Sequence, residues 1–307
     1  MRVVFIGTGS FACPALKAVA GAHDVALVVT QPDRPAGRGR KLTAPPIKEL
    51  AVELGLPILQ AERVSREEPV SEIRAAKPDV AVVAAFGQIL KESVFGIPPL
   101  GTINIHASAL PAYRGAAPIQ WAIIRGETAT GVTTFFIDAG MDTGDTLLRR
   151  ELDIGRDETA GELQRRLADL GATIILETLE GVQSGTLRAT PQPEEGITLA
   201  PILKREDGRV DWSGSAQDAH NLIRGTHPWP GAWTELDSER IKVHRSAMTG
   251  IAGGDAAPGE ITLVDTGRLL VGTGDELIEL LTVQREGRPR CDGKCFLNGL
   301  RGPGRFR

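Results

Sequence analysis

The chain has 307 residues, 41% hydrophobic and 24% charged, a length that sets the expectation of two domains rather than one core. No apolar run approaches the roughly 20 residues that span a bilayer, and MRVVFIGTG reads as a first strand rather than a secretion signal, so a cytoplasmic protein without a membrane partner is expected. A formal net charge of −4 argues against a chain that coats DNA or other nucleic acid non-specifically, while leaving room for local basic surfaces.

In chain order, Val3–Ile6 reads as a strand, Ala12–Ala20 as a helix, Val25–Thr30 as a strand and Ile47–Leu54 as a helix. Val80–Ala85 is an unbroken apolar run suited to a strand covered on both faces, and Gly101–Ile105 follows as another. Pro118–Arg125 reads as helical, Gly131–Ile137 as a strand and Thr159–Glu180 as a long amphipathic helix. This alternation predicts an α/β domain over residues 1–188, with a Rossmann-like, doubly wound, mostly parallel sheet. Over 189–208 the pattern lapses into Pro191, Pro193, Glu194, Glu195 and Gly196, the composition of a linker. Short runs at Trp233–Leu236, Arg240–Arg245, Gly259–Val264, Leu269–Gly272 and Leu277–Val283 then predict a small β-barrel domain over 209–307.

Two motifs point away from the chemistry they first suggest. Gly7-Thr-Gly-Ser-Phe-Ala12 follows a strand and opens a helix, as a dinucleotide fingerprint does. The acid expected about 20 residues on does not appear cleanly, because Thr30-Gln-Pro-Asp33 opens an arginine-rich loop there. The glycines then serve a tight turn, and no NAD(P) is expected. Cys13, Cys291 and Cys295 are too few for a disulfide framework and fit a reducing compartment. Cys291 and Cys295 have no nearby third or fourth ligand, which leaves a tetrahedral site half empty, so no metal is expected.

The most informative stretch is TINIHASALPAYRGAAPIQW over Thr102–Trp121. It sets Asn104 and His106 two residues apart in a β-prone run, on one face of a strand and about 7 Å apart. An amide donor beside an imidazole suits acyl transfer: both can donate to a developing oxyanion, and the imidazole can also move a proton. Asp142, in DAGMDTG over Asp138–Gly144, supplies the acid that orients the imidazole. Each residue has a structural reading, as a turn residue, a core histidine or a turn closer; their joint occurrence favours chemistry.

The combination resembles the folate-dependent formyltransferases over nearly the whole chain. QPDRPAGRGRK over Gln31–Lys41, Asp211-Trp212, IRGTHPWPG over Ile223–Gly231 and FLNGLR over Phe296–Arg301 narrow the resemblance to those that formylate methionyl-tRNA. It implies an OB-like C-terminal barrel that holds tRNA, and 10-formyltetrahydrofolate as formyl donor. It further implies that Ser108, Ala109, Leu110 and Pro111 line the folate site, with Phe86, Gly87, Gln88, Ile89 and Leu90 against the pterin. Ala109 and Phe86 depart from the family's commoner Leu and Tyr, at the loss of some apolar contact and one hydroxyl. Arg34, Arg38, Arg40 and Lys41 are the implied readers of initiator methionyl-tRNA, on a loop that Pro32, Pro35, Gly37 and Gly39 should keep out of helix and sheet. The tail from Arg285 adds seven basic residues against Glu286 and Asp292. Three readings stand beside this one: a sugar-nucleotide formyltransferase, an NAD(P) oxidoreductase, and a non-catalytic RNA-binding protein on an inactive scaffold.

Overall fold

In the computed structural model, residues 1–36, 41–262, 267–300 and 304–307 are described. They divide into two units. The first comprises Met1–Pro118, Thr130–Leu152 and Gln164–Ala200, and the second Ile119–Ala129, Asp153–Leu163 and Pro201–Arg307.

The chain begins with β1 (Arg2–Gly7), α1 (Cys13–Ala22), β2 (Asp24–Thr30), β3 (Arg34–Ala36), β4 (Lys41–Thr43) and α2 (Pro46–Glu53). It continues through β5 (Ile58–Gln60), α3 (Glu67–Ala75), β6 (Val80–Ala84), α4 (Glu92–Phe95), β7 (Thr102–His106) and β8 (Arg114–Gly115). There follow α5 (Pro118–Ile124), β9 (Ala129–Phe136), β10 (Thr146–Asp153), α6 (Ala160–Ser184) and β11 (Leu199–Ala200).

The first unit is built on a seven-stranded sheet in the order β10-β9-β7-β6-β1-β2-β5. Pairs β1/β2, β1/β6, β2/β5 and β6/β7 are parallel, and β7/β9 is antiparallel. Every residue of β6 is buried, as its unbroken VAVVA run requires of a strand with helices on both faces. The short β5 and helix α3 lie outside the elements that periodicity predicts. So does β10, whose Arg149, Arg150 and Glu151 face solvent at the sheet edge, where charge is tolerated and the alternation is lost. The loop after β2 corrects an expectation. Pro32 and Pro35 do not keep it out of sheet, since β3 and β4 pair antiparallel, Arg34 opposite Thr43 and Ala36 opposite Lys41; Gly37 and Gly39 lie outside the described residues. A two-stranded ribbon has two free edges, so a proline without an N–H is accommodated.

In the second unit, α7 (Ala216–Gly225) precedes β12 (Ala232–Leu236), β13 (Glu239–Ala252), β14 (Ile261–Thr262), β15 (Leu270–Gly272), β16 (Glu276–Arg285), β17 (Cys291–Asp292) and α8 (Gly293–Asn298). The strands form an antiparallel sheet in the order β12-β13-β16-β15-β14, with β17 on β16. Three register shifts interrupt the β13/β16 pairing, and such bulges bend and twist a strand, as a curled sheet needs. β13 runs to Ala252, well past the Arg240–Arg245 that alternation suggests.

Within Asp211-Trp212 and the IRGTHPWPG segment, Trp212 and Arg224 are buried with partners inside the second unit. Trp212 stacks on Phe306 at 5.9 Å and donates its indole N–H to Thr234 Oγ1 at 2.9 Å. Arg224, 6% exposed, donates to Asn221 Oδ1 at 2.8 and 3.0 Å and to the carbonyls of Gly155 and Glu158, each at 3.3 Å. A buried guanidinium is tolerated because it satisfies several acceptors at once.

The start of α6 is closed by a capping box. Glu162 accepts from Thr159 N at 2.9 Å and from Thr159 Oγ1 at 2.7 Å, and pairs with Arg245. Those hydrogen bonds, Thr159 before Arg245, pull the Glu162 carboxyl from the ordinary 4.5 to about 2. A depressed folded-state value means stabilisation that is complete above the ordinary value and lost as pH falls toward the folded one. The expected result is that Glu162→Gln lowers the denaturant midpoint at pH 7, and that the gap to the unsubstituted protein closes between pH 4.5 and 2. A gap of constant size over that window would contradict the assignment.

Candidate active site

Parallel strands deliver their carboxyl ends to one edge of a sheet, where the substrate crevices of doubly wound folds lie. At that end of β7 are Asn104 and His106, on one face by strand alternation and flanked by β6 and β9. Asn104 is partly buried, and its carboxamide has no hydrogen-bond partner among the described residues. A carboxamide held on a rigid strand with its donors unspent is available to a ligand.

His106 is 6% exposed and packs edge-on to Phe135, ring centroids 6.3 Å apart. Its Nε2 lies 2.9 Å from the Tyr113 carbonyl, which can only accept, so Nε2 carries the hydrogen. On the other side of the ring, Nδ1 stands 3.7 Å from Asp142 Oδ2. The same carboxylate oxygen accepts from the Gly115 amide at 2.8 Å. The sequence-predicted pair of imidazole and acid is thus brought together from β7 and the loop after β9, 36 positions on in the chain.

Local backbone fixes that meeting. Asp142 sits at φ +54°, in the left-handed region that Asp enters more readily than most residues. Two residues on, a Cβ on Gly144 would fall 1.7 Å from the Phe136 carbonyl oxygen, so the bend closes only on glycine. Gly115, at φ +123°, is similarly committed, since a Cβ there would meet Ala200 O at 2.6 Å.

The turn from Ser108 to Ala112 is held from within and from β9 and β10. Ser108 Oγ donates to Ala112 O at 2.6 Å, Thr133 Oγ1 donates to Ser108 O at 2.7 Å and accepts from Leu110 N at 3.1 Å, and Arg149 Nη1 donates to Leu110 O at 3.3 Å. Ser108, Leu110 and Pro111 are buried, and Ala109 is partly exposed. In the second predicted loop the side chains of Phe86 and Leu90 belong to the core with Val4 and Ile6. Gln88 accepts from Val64 N and donates to Ala61 O, both at 3.0 Å. That leaves the backbone around Gly87 and the side chain of Ile89, 80% exposed, as what this loop presents.

On the β3–β4 ribbon, Arg34 and Lys41 are exposed; Arg38 and Arg40 lie outside the described residues. The ribbon's root is pinned by Asp33, which accepts from Lys48 Nζ at 2.8 Å and from Gln60 Nε2 at 2.8 Å. Hydrogen bonds from Lys48 and then Gln60 hold the Asp33 carboxyl below its usual range. Lys48 therefore spends its charge inside the protein rather than on a ligand.

Sequence reasoning did not find the residues that hold the site from the proline-rich stretch after α6. Tyr113 N donates to Thr198 Oγ1 at 2.8 Å, Arg114 N donates to Thr198 O at 2.9 Å, and β11 pairs with β8. The side chain of Gln192 bonds to Arg114 and to the backbone at Asp142 and Gly144. Nothing in a Thr-Pro-Gln-Pro-Glu run distinguishes such contacts from linker composition. Among the described residues no group of three or more His, Cys, Asp or Glu side chains sits together as a metal site, and no helix is long and apolar enough to cross a membrane.

Comparison with known proteins decides the family. The formyl transferase profile matches residues 1–179 and the formyl transferase C-terminal domain profile matches residues 202–301. The chain belongs to the formyl transferase family. Among curated relatives of this formyltransferase, the methionyl-tRNA formyltransferase of Solibacter usitatus (strain Ellin6076) is 49% identical over 98% of this chain and 96% of its own. That of Geobacter metallireducens (strain ATCC 53774 / DSM 7210 / GS-15) is 48% identical, again over 98% of this chain and 96% of its own. Among solved structures, WlaRD, a sugar 3N-formyl transferase crystallised in the presence of dTDP and 5-N-formyl-THF, shares the fold. Its TM-score is 0.68 and its identity 17%, over 94% of this chain and 99% of WlaRD.

Proposed function

We propose that this formyltransferase moves the formyl group of 10-formyltetrahydrofolate onto the α-amine of initiator methionyl-tRNA, in the cytoplasm, giving the N-formylated tRNA that starts translation. The observation that carries the chemistry is the His106 imidazole set between the Tyr113 carbonyl and the Asp142 carboxylate, with the unspent Asn104 carboxamide on the same strand face. The two curated relatives, nearly half identical over almost the full chain, support the choice of acceptor.

The α-amine is its own nucleophile once neutral, and its reference pKa of about 7.7–8.0 means little help is required. It attacks the formyl carbon directly, the new C–N bond forming as the bond to the folate N10 breaks, and the amine's proton replaces the formyl group on that nitrogen. Asn104 donates to the formyl oxygen as negative charge builds there, a contact worth about 3–4 kcal/mol. His106 serves as the proton station: with its Nε2 hydrogen held by the Tyr113 carbonyl, Nδ1 is the ring atom free to take the proton of the attacking amine. Asp142 holds the ring and offers charge to a proton arriving on Nδ1. The residues fit a flat pterin in a particular way: with Phe86, Gln88 and Ser108 committed internally, recognition falls to backbone groups of the 86–90 and 108–111 loops, with Ile89 as an apolar cover.

Arg34 and Lys41 on the ribbon, with Arg38 and Arg40 from the stretch of sequence between them, supply phosphate and base-edge donors to the acceptor end of the tRNA. Arg38→Ala is expected to raise the tRNA concentration for half-saturation about 10-fold, the loss of one charged hydrogen bond, without altering folate dependence. An unchanged rate at low tRNA concentration would remove the ribbon from the reading. The whole proposal is tested by offering labelled 10-formyltetrahydrofolate with methionyl-tRNA and, in parallel, with an amino-sugar nucleotide. Label in the tRNA alone is expected. Label in the sugar, or release of free formate in place of transfer, would overturn it.

A further inference from the structure

Gln192 stands between Pro191 and Pro193 and is saturated with hydrogen bonds. Its Oε1 accepts from Arg114 Nε at 3.1 Å and Nη2 at 2.7 Å, and its Nε2 donates to Asp142 O at 2.9 Å and Gly144 O at 2.8 Å. One carboxamide therefore joins the two stretches of chain that aim the Asp142 carboxylate, through the Arg114 side chain in the first and through backbone carbonyls in the second. The first carries the Gly115 amide, which donates to Asp142 Oδ2 at 2.8 Å. The second is the bend that contains Asp142 itself.

We propose that Gln192 is a positioning residue for formyl transfer, holding Asp142 in the left-handed backbone conformation that keeps its carboxylate against His106. The inference rests on the reading of Asp142 as part of the catalytic set. Residues at φ near +54° lie in a sparsely populated region and stay there only when neighbouring contacts impose it. The carbonyls of Asp142 and Gly144 both turn to the two hydrogens of Gln192 Nε2, so the clasp sets the peptide planes that follow Asp142 and Gly144. No other uncharged side chain of that length offers two donor hydrogens and a planar acceptor together. Without the clasp, Asp142 relaxes toward the ordinary backbone regions and its carboxylate swings from Nδ1. A displacement of about 1 Å near a reacting group is enough for a 10²-fold loss.

The segment itself has other moorings. Thr190 and Thr146 exchange two backbone hydrogen bonds at 2.8 Å, and Thr198 holds Tyr113 and Arg114. Loss of the Gln192 side chain thus removes the clasp without releasing the chain.

The test is steady-state kinetics of the full-length protein carrying Gln192→Ala or Gln192→Glu, alone and combined with Asp142→Asn. The carboxylate introduced by Gln192→Glu keeps an acceptor for Arg114 but has no hydrogen for the two carbonyls, so that variant should not rescue. Both variants are expected to lower kcat about 10- to 100-fold with KM for either substrate within about 3-fold and little change in melting temperature. In the Asp142→Asn background the effect of Gln192→Ala should shrink to below about 2-fold, because the group it positions is already disabled. Unchanged kcat in Gln192→Ala, or the same fold loss with and without Asp142→Asn, would overturn the proposal while leaving the catalytic reading standing. Full turnover in Asp142→Asn alone would overturn both.

Discussion

Asn104→Ala is expected to lower kcat about 10²- to 10³-fold with little effect on KM for either substrate or on thermal stability. The magnitude follows from removing one preorganised donor to a developing oxyanion. The selectivity for kcat follows from the structure: the carboxamide has no hydrogen-bond partner among the described residues, so its loss leaves no buried group stranded. A donor that interacts with the formyl oxygen chiefly when it is charged is felt in turnover and hardly in binding. Asn104→Asp is the sharper comparison, since it replaces the donor by a like charge at nearly unchanged volume and should be the slower enzyme. Single-turnover transfer to methionyl-tRNA measures both. An Asn104→Ala protein whose loss lies wholly in KM would make this carboxamide a binding group instead.

His106→Ala should cost more, about 10³- to 10⁴-fold in kcat, because the ring is the proton station of the proposed reaction. Here a stability penalty accompanies the kinetic one. Truncation removes a buried ring packed on Phe135 together with its hydrogen bond to the Tyr113 carbonyl, at about 1–3 kcal/mol. Denaturant unfolding alongside turnover separates the two effects, and His106→Asn, which restores a donor but not a titratable one, should recover stability more than rate. Turnover near normal in His106→Ala would remove the ring from the mechanism.

How much of this was legible in the sequence differs from residue to residue. Asn104 and His106 were readable because a strand repeats every two residues, and the strand end in a doubly wound sheet is where chemistry gathers. Asp142 was readable only as a third member in the right order. The reason it reaches His106, a left-handed bend closed by Gly144 against the Phe136 carbonyl, is a matter of backbone geometry that spacing does not carry. The fully buried β6 announced itself through unbroken apolar character, whereas β10 was hidden by the arginines an edge strand tolerates. The ribbon of β3 and β4 was concealed by Pro35 within it and by the prolines and glycines of the surrounding sequence, which normally signal irregular loop. Trp212 and Arg224 stood in segments that family likeness singles out, yet in the structure they stack and satisfy a hydroxyl and carbonyls inside the second unit. Gln192 was the least legible of all. Its four bonds join parts of the chain 48 to 78 positions away, and long-range side-chain satisfaction leaves no local pattern.

The central claim is that the Asn104 carboxamide, the His106 imidazole and the Asp142 carboxylate converge on the formyl group. A crystal structure of the protein with a non-transferring analogue of 10-formyltetrahydrofolate measures this directly. The account predicts the formyl oxygen about 3 Å from Asn104 Nδ2, with the His106 ring alongside it and the pterin against the 86–90 loop. An analogue bound with its formyl group turned away from β7, out of reach of both side chains, would contradict it.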